Sequence, residues 1–378
     1  MSIFEKQIDF LGKRKMFYIV SASLFALSII SLLVRGLQFG IDFKGGTEVA
    51  VQFEKQINIG EIRNDLNTIG LGNVEVKTFG SESGVLVRTE IQEIPKSVFS
   101  KVQNNIESAI NNYNVGKIKS VVETTSNSII FDFDSAKTAS FVTDKLNEEG
   151  YQASKVSEDI ENTQVSVRVG ISEWIKENFS KKIKDNNFTV VKETNVGPKI
   201  GNELKRDALI AVGLSLLVIM IYLGFRFKFT FAVGAVVALF HDVFITLGFF
   251  SLLYGFIPML NLEISISVVA AFLTLVGYSI NDTVIVFDRI RENLKIHKTA
   301  ELEHNMNDAI NKTLRRTVMT SFTTIITVIV LLIFGGEVLR GFAFCLFFGI
   351  TFGTYSSVFV ASAFVLDYAK YKNQKINF

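Results

Sequence analysis

Residues Leu273–Asn293, LTLVGYSINDTVIVFDRIREN, form the stretch from which the rest of the chain is interpreted. The stretch continues a long apolar segment, yet it contains Asn281 and Asp282 well before its charged end at Asp288. A carboxylate inside a membrane-length helix costs about 2.5–3.5 kcal/mol on insertion scales. Asp282 therefore needs a partner, a proton or a water-filled cavity.

Long apolar runs at both ends of the chain predict an integral membrane protein. Hydrophobic residues make up 48% of the 378 residues, but residues 36–207 are as polar as an ordinary water-soluble domain. A run of about 18 or more apolar residues can cross a bilayer as a helix. Six spans are predicted, at 16–34, 208–225, 230–253, 264–287, 317–334 and 341–367. The predicted domains are an amphipathic N-terminal segment (1–15), a first transmembrane helix (16–35), a soluble region (36–207), transmembrane helices 2–6 (208–367) and a tail (368–378).

Lysine and arginine positions orient these spans, because short cytoplasmic loops carry an excess of positive charge. The basic residues cluster at Lys13–Lys15, at Arg226 and Lys228, from Arg289 through Lys298 to Arg316, and from Lys370 to Lys375. The two opposite short loops, 254–263 and 335–340, contain only Arg340. This asymmetry predicts that both termini lie inside the cell and that residues 36–207 lie outside.

Several classes of function have little support in the composition. A net charge of +2 gives no reason to predict nucleic-acid binding. The single cysteine, Cys345, excludes an intramolecular disulfide and a cysteine metal cluster, and the 3 histidines are too scattered for a zinc site. The sequence has no phosphate-binding GxxxxGK[ST] loop, so we predict no nucleotide or other cofactor.

The soluble region contains an internal repeat of predicted secondary structure. The first half, 36–124, is predicted to run strand 47–53, helix 59–69, strands 73–79 and 85–89, helix 96–112 and strand 117–124. The second half, 125–207, is predicted to run strand 128–133, helix 136–149, strands 152–158 and 164–169, helix 172–185 and strand 188–193. Alternating residues such as Val49, Val51 and Phe53 give the strands an apolar face. The pattern predicts a large α+β domain of two ferredoxin-like βαββαβ units, and the alternative is one unit followed by an irregular insertion.

Two glycine-containing segments join the soluble region to the spans, GIDFKGGT at Gly40–Thr47 and VGPKIG at Val196–Gly201. The residues that set their backbone geometry are Gly45, Gly46, Gly197 and Pro198. Turn formation alone explains both segments. A hinge that lets the soluble region swing is the alternative.

Six sequence blocks resemble the SecF family, in order and in their placement relative to six spans. They are FLGKRK (Phe10–Lys15), GIDFKGGT, VGPKIG, HDVFITLG (His241–Gly248), GYSINDTVIVFDRIREN (Gly277–Asn293) and NKTLRRTVMTS (Asn311–Ser321). The family supplies the smaller membrane subunit of SecD–SecF protein-export complexes. It belongs to the resistance–nodulation–division (RND) superfamily, of which the predicted membrane part is one half. The soluble region of this family usually holds one ferredoxin-like unit, so two predicted units leave the role of residues 125–195 open.

The resemblance implies a non-enzymatic subunit of the Sec machinery in the bacterial cytoplasmic (inner) membrane, with a periplasmic domain. It would pair with SecD and use the proton motive force to help preproteins finish crossing through the SecYEG channel. Implied partners are SecD, SecYEG, unfolded preprotein at the soluble region and membrane lipid, with YajC and YidC as further candidates. The family's proton-path positions fall on Asp282 and Arg316, with Asp242 as a weaker candidate. The coupling ion stays open between H⁺ and Na⁺.

The positions of Asp282 and Arg316 suit a proton-linked switch. Asp282 lies about 9 Å inside the end of its span that Asp288 marks, at 1.5 Å per residue, and Arg316 begins the next span from the same side. When close, Arg316 would hold Asp282 ionised, and its withdrawal would favour proton uptake. The predicted supporting polar residues are Asn281, Thr283, Thr320 and Thr324. The hydroxyls of Thr320 and Thr324 either hold water or bond carbonyls of their own helix, which is the commoner case. The alternative is a structural pair that locks two helices, and a helix-locking role is equally open for Asp242.

Three rival functions are weighed against this interpretation. An RND exporter of small molecules or lipids usually has two six-span halves on one chain, and one half is predicted here. A membrane enzyme such as a protease has little support, because residues 36–207 contain no histidine or cysteine for catalysis. A structural subunit without its own ion path is separated from the leading interpretation only by measurement.

The predicted orientation can be tested by labelling single cysteines in a Cys345→Ala background. Asn64→Cys and Ser180→Cys should react with an impermeant reagent applied outside intact spheroplasts, because their segment is predicted to lie outside. Lys298→Cys and Asn373→Cys should not react. Labelling of Lys298→Cys from outside would overturn the orientation.

Overall fold

The structure is a computed structural model. It describes residues 7–71, 74–114, 117–125, 127–149, 151–157, 159, 161–183, 185–227, 229–256, 260, 262–297 and 299–372. Lys228, Lys298, Asn373 and Lys375, which entered the orientation argument, lie outside these residues. The described chain forms two compact units, a helical unit from Met1–Asp42 and Glu203–Phe378 and an α/β unit from Phe43–Asn202.

The elements are numbered in chain order. The helices are α1 (Arg14–Val34), α2 (Ile41–Lys44), α3 (Ile59–Asn67), α4 (Lys96–Asn112), α5 (Ala136–Glu148), α6 (Ile171–Lys182), α7 (Pro198–Arg226), α8 (Phe229–Leu253), α9 (Ile266–Ile296), α10 (Leu302–Phe334), α11 (Gly336–Ser356) and α12 (Ser362–Tyr371), with a π-helical turn at Ser357–Ala361. The strands are β1 (Gly46–Phe53), β2 (Val74–Phe79), β3 (Ser81–Thr89), β4 (Ile118–Thr124), β5 (Ser128–Phe133), β6 (Ala153–Lys155), β7 (Gln164–Arg168) and β8 (Phe188–Val196).

Among the described residues, six helical segments are long and apolar enough to cross a membrane, as predicted. The sixth combines α11, the π-helical turn and α12. Three of the helices extend well beyond the predicted spans: α7 already begins at Pro198, α9 continues to Ile296 and α10 already begins at Leu302. The prediction stopped where charged residues begin, although Glu, Lys and Arg are good helix formers. The charged ends therefore extend these helices beyond the apolar part.

Close packing of α9 against α11 forms the middle of the helical unit. A Cβ atom on Gly349 of α11 would lie 2.0 Å from a methyl carbon of Leu275, and one on Gly353 would lie 3.1 Å from Ser279. Small residues let the backbones of membrane helices approach closely. These two glycines therefore bring hydroxyl groups of α11 within reach of α8, α9 and α10.

Polar contacts tie the N-terminal segment to α10 and α12 at one end of the bundle, which we call the terminal end. Asn307 and Asn311 of α10 bond the backbone of residues 8–11 through their side-chain amides. Arg14 forms ion pairs with Asp367 at 2.8 Å and with Glu303 at 3.2 Å. The beginning and the end of the described chain are thereby fixed to α10.

The α/β unit contains two four-stranded antiparallel sheets that share one apolar core with α3–α6. The first sheet has the strand order β2-β3-β1-β8, and the second has β4-β5-β7-β6. In the first, Val49 lies opposite Val87, and in the second, Phe131 lies opposite Val165. All eight predicted strands and four predicted helices of the soluble region are present, and α2 is an additional short helix.

Each of the two sheets contains strands from both halves of the soluble region. β8 pairs along β1, from Gly46 opposite Val196 to Phe53 opposite Phe188. β4 pairs with β5 instead, with Val121 opposite Phe131. Each sheet therefore takes three strands from one half and its fourth strand from the other.

A buried ion cluster holds β8 in the first sheet. Glu48 of β1 is 4% exposed and accepts hydrogen bonds from Arg88 of β3 at 2.6 Å and Lys192 of β8 at 2.8 Å. Burial by itself would raise the pKa of Glu48, but the two cations and their hydrogen bonds outweigh it and hold the pKa below its ordinary value. The carboxylate thus depends on cations from both neighbouring strands.

The strand exchange predicts unequal roles for lysines in two similar segments, KSVVET at 119–124 and TVVKET at 189–194. In a soluble fragment of residues 43–202, Lys192→Met should lower the free energy of unfolding by about 1–2 kcal/mol, because it leaves Glu48 with a single cation. Lys119→Met should change it by less than about 0.5 kcal/mol, because Lys119 is exposed and its ion pair with Asp132 is long, at 3.5 Å. Urea unfolding followed by circular dichroism measures both. Equal effects would contradict this pairing of β8 with β1.

Candidate functional site: buried carboxylates in the helical unit

Asp282 of α9 is buried where three helices meet. The side chain is 1% exposed, and its Oδ2 accepts long hydrogen bonds of 3.3 Å from Ser321 of α10 and 3.3 Å from Thr354 of α11. Those two hydroxyls also bond each other at 2.6 Å. Oδ1 is buried and finds no hydrogen-bond partner in the described part of the chain. One carboxylate oxygen is therefore left to bind a proton or a water molecule.

Helical periodicity separates Asp282 from its neighbours in sequence. Ser279 and Val286 lie three residues before and four residues after it, and share its buried face. Asn281 is exposed, so this predicted supporting residue does not contact the carboxylate. Thr283 is buried, bonds the Ser279 carbonyl at 3.1 Å and approaches the Ser357 hydroxyl to 2.8 Å. It links α9 to the π-helical turn rather than to Asp282.

The predicted Asp282–Arg316 pair is not formed in this structure. Arg316 is exposed, and across the described residues Asp282 contacts Ser321 and Thr354 instead. Arg316 lies five positions before Ser321, which is about 140° around the helix at 100° per residue. Sequence reasoning compared depths and not helix faces. A role for Arg316 in ion movement stays a prediction.

The predicted threonines on α10 bond mainly within their own helix. Thr320 is exposed and donates to the Arg316 carbonyl at 2.8 Å. Thr324 donates to the Thr320 carbonyl at 2.9 Å and lies 3.3 Å from the Tyr278 hydroxyl of α9. These bonds are the local alternative that serine and threonine commonly adopt in helices.

Asp242 of α8 has a much fuller set of partners than Asp282. It is 0% exposed, and its Oδ2 accepts from Ser279 of α9 and Ser356 of α11, each at 2.7 Å. Its Oδ1 lies 3.0 Å from Nδ1 of His241. The carboxylate therefore binds three helices together, which favours the helix-locking interpretation of this residue.

His241 connects Asp242 to a mostly apolar crevice. The crevice has a volume of about 580 Å³ and lies between α1, α8 and the last spanning segment. Nδ1 of His241 forms the hydrogen bond with the carboxylate, and the His241 side chain also lines the crevice. Nε2 is buried without a hydrogen-bond partner within the described chain.

Three hydroxyls lie where α11 meets the π-helical turn, and two of them contact the buried carboxylates. Thr354 contacts Asp282, Ser356 contacts Asp242, and Ser357 contacts α9 through Thr283. The π-helical turn begins at Ser357, and the Ser362 hydroxyl donates to the Ser357 carbonyl at 2.8 Å. Single π turns inside α-helices occur frequently at functional sites. A shift of this segment would change both carboxylate environments together.

The predicted hinge residues have specific backbone roles. Gly45 and Gly46 have φ of +77° and +122°, and a Cβ on Gly46 would lie 2.3 Å from the Thr89 carbonyl oxygen. Both positions therefore require glycine. Gly197 has ordinary space around it, and Pro198 is the first residue of α7, where its missing N–H is not needed. Turn chemistry explains these residues locally, and the hinge stays a prediction.

Asp288 lies at the charged, partly exposed end of its span, as the sequence indicated. It forms an ion pair of 3.0 Å with Arg226 from the end of α7, and both side chains are partly exposed. Within the described residues, no group of three or more His, Cys, Asp or Glu side chains could hold a metal ion. The groups that the site brings together are two carboxylates, several hydroxyls and the imidazole of His241.

Sequence reasoning missed the hydroxyl partners of the two carboxylates. They are Ser279, Ser321, Thr354 and Ser356. Their spacing gave a partial signal, because Ser279 lies three residues before Asp282 and must share its face. The residues on α10 and α11 gave none, since their meeting with α8 and α9 depends on helix packing.

Comparison of the sequence with models of known protein families shows which family it matches. A family model described as "Protein export membrane protein SecD/SecF, C-terminal" matches residues 175–371, and "SecD/SecF GG Motif" matches residues 30–57. The chain therefore belongs to the SecD/SecF family of protein-export membrane proteins.

Its curated relatives narrow the assignment to the SecF subunits. Protein translocase subunit SecF of Rhodothermus marinus is 39% identical over 97% of this chain and 95% of that protein. The SecF subunit of Koribacter versatilis is 36% identical over 97% of this chain and 93% of that protein. Both matches cover the soluble region as well as the spans.

Solved SecDF structures match the fold. The crystal structure of SecDF from Thermus thermophilus, a translocon-associated membrane protein, has a TM-score of 0.65 and 29% identity, and SecDF in a super-membrane-facing form has 0.57 and 28%. Each match covers 99% of this chain, which spans 40% of the length of the SecDF chain. The solved chains therefore contain a large further part that these matches do not cover.

The unequal partners of the two carboxylates predict unequal effects on stability. Asp242→Asn replaces an acceptor oxygen by a donor amide among groups that donate, so it should cost about 1–3 kcal/mol. Asp282→Asn disturbs only long hydrogen bonds and should cost less. The apparent Tm of each purified variant in detergent measures the difference. A larger loss for Asp282→Asn would contradict this account of the site.

Proposed function

We propose that this chain is the SecF-type subunit of a protein translocase that pairs with SecD and uses the proton motive force. It would assist the late crossing of preproteins through the SecYEG channel, with YajC and YidC as further partners. The main support is Asp282, a carboxylate at membrane depth with one oxygen unpaired among the described residues. Burying such a residue costs free energy, so its presence at this depth is a reason to infer a function.

A polar stripe on the outer surface of the bundle supports pairing with SecD. The exposed residues of α9 and α10 at spanning depth include, among apolar ones, the polar residues Asn281, Arg316, Thr320, Thr323 and Thr327. Lipid tails offer no hydrogen bonds to a guanidinium or an amide, whereas the helices of a second subunit do. The match covers 40% of the solved SecDF chain, so that chain contains further sequence that could supply the helices of such a second part. Arg316 would then face the subunit interface.

The proton-linked step uses Asp282 and Arg316 in two arrangements. In one arrangement Asp282 contacts the neutral hydroxyls of Ser321 and Thr354, as in this structure, and would carry a proton. Approach of Arg316 would stabilise the carboxylate and favour proton release. One charge crossing the membrane is worth about 2.3 kcal/mol per 100 mV. A bias of that size shifts a two-state equilibrium by more than tenfold, at about 1.4 kcal/mol per factor of ten.

The soluble region would act as the part that holds the preprotein. We infer that it is a duplicated ferredoxin-like domain, because each sheet has the antiparallel order of a βαββαβ unit with its fourth strand supplied by the other half. The orientation, with both termini cytoplasmic and this region periplasmic in the inner membrane, rests on the positive charge of the short loops. The glycine segments at Gly45 and Gly197 would let the region change its pose.

A subunit that only braces its partner is the second candidate. The full hydrogen bonding of Asp242 favours such a role for that residue. The unpaired oxygen of Asp282 favours ion movement instead. A self-contained exporter of small molecules or lipids has no comparable observation in its favour.

Substitution of the carboxylate tests the proton-linked step. Asp282→Asn keeps size and hydrogen-bonding capacity but cannot ionise, so the subunit should assemble with its partner and fail to support export. Arg316→Lys keeps charge but loses the planar guanidinium, so export should be impaired. Preprotein translocation in membrane vesicles, with and without an uncoupler and at matched protein levels, measures both effects.

Asp288→Asn provides the control at the wet rim. Its ion pair with Arg226 is partly exposed, so the loss should be mild. Uncoupler-sensitive stimulation by Asp282→Asn equal to that of the natural sequence would make Asp282 structural and place the ion path in the partner.

A further inference from the structure

Two buried oxygen atoms on facing helices lack a hydrogen-bond partner among the described residues. They are Oδ1 of Asp282 on α9 and Oγ1 of Thr317 on α10. The two side chains are 1% and 2% exposed. Buried polar atoms are satisfied in the large majority of cases, by protein or by ordered water. A shared external partner would therefore account for both atoms.

Thr317 lies on the buried face of α10 that contacts Asp282. Thr313, Thr317 and Ser321 follow one another at intervals of four residues, and all three are buried. Ser321 contacts the carboxylate of Asp282 directly. Thr317 lies one turn nearer the terminal end, about 5.4–6 Å along the helix. This face of α10 is therefore a row of hydroxyls that leads from the carboxylate toward the terminal end.

Within this row Thr317 has the free hydroxyl. Thr313 donates to the carbonyls of Ala309 and Ile310. Ser321 is occupied by Asp282 and Thr354. A hydroxyl both donates and accepts, so Thr317 can hold a water molecule on the face of α10 that meets Asp282 through Ser321.

The terminal end of the row leads to polar groups. Asp308, five residues before Thr313, accepts from Asn293 of α9 at 2.8 Å and pairs with Lys312 at 2.6 Å. Asn293 is buried, whereas the side chains of Asp308 and Lys312 are partly exposed. The charged groups nearest the row are thus Asp282 at its inner end, Asp308 with Lys312 at its outer end, and Arg316 beside Thr317.

We propose that Thr317 is a positioning residue for proton exit from Asp282 toward the terminal end. This inference rests on the proposed function, in which Asp282 carries the proton. The O–H bond of the carboxylic acid breaks, and its proton forms a new O–H bond with the water that Thr317 holds. The resulting hydronium passes a proton to the next water on the terminal side, and Asp282 remains as carboxylate.

The outer threonines of α10 are less suited to this role. Thr320, Thr323 and Thr327 donate to carbonyls of their own helix and are exposed on the surface of the bundle. Their hydroxyl hydrogens are already engaged. Thr351 of α11 serves as the control, because it is exposed, donates to the Phe347 carbonyl at 2.7 Å and has no part in the proposed proton path or subunit interface.

The test compares Thr317→Val, Thr317→Ser and Thr351→Val in the intact complex in membrane vesicles. Valine has the shape of threonine without the hydroxyl, and serine keeps the hydroxyl. Thr317→Val should reduce the uncoupler-sensitive part of preprotein translocation about five- to tenfold, the effect of one lost hydrogen bond in a transition state. Thr317→Ser should keep at least about half of it, and Thr351→Val all of it. The rates are measured in H₂O and D₂O at matched levels of assembled protein.

A solvent isotope effect that grows in Thr317→Val, together with recovery in Thr317→Ser, would support proton exit through this position. Activity of Thr317→Val equal to that of the natural sequence, while Asp282→Asn is inactive, would overturn this inference and leave the proposed function intact. Equal losses in the valine and serine variants with an unchanged isotope effect would show a packing role and also overturn it. An active Asp282→Asn would remove the proposed function and this inference together.

Discussion

Removing a carboxylate from water is the constraint on which the helical unit depends. A carboxylate at membrane depth costs several kcal/mol unless other groups replace its hydration. Asp242 meets this cost with two hydroxyls and an imidazole from α8, α9 and α11. Asp282 has two long hydroxyl contacts and an unpaired oxygen. The first arrangement fixes three helices, and the second leaves a group that can change its state.

The same segment of α11 reaches both carboxylates, so their environments are physically coupled. Gly349 and Gly353 bring α11 against α9, and Thr354 and Ser356 then contact Asp282 and Asp242. The π-helical turn follows immediately. A change in hydrogen bonding at one carboxylate would move hydroxyls that the other also uses. A proton bound at Asp282, as proposed, would therefore also affect the helices that meet at Asp242.

The α/β unit handles a buried carboxylate in the other common way, with full charges. Glu48 accepts from Arg88 and Lys192 on the two strands beside it, so its burial depends on β8 pairing with β1. Removing one partner of a buried ion pair is costly because the other charge stays buried. The exchange of β4 and β8 between the sheets is thereby tied to a specific electrostatic contact. It also joins the two halves of the soluble region into one compact unit.

The sequence by itself determined the six spans, the order of strands and helices in the soluble region, and Asp282 as a candidate site. These features follow from local periodicity and from the high cost of charge in an apolar run, both of which are visible in a short window. Only the tertiary structure decided that Ser321, and not Arg316, faces Asp282, and that β8 pairs with β1. Helix rotation and strand pairing depend on contacts between residues far apart in the chain. A sequence pattern gives the depth of a residue and the face it shares with its neighbours, but packing decides which group that face meets.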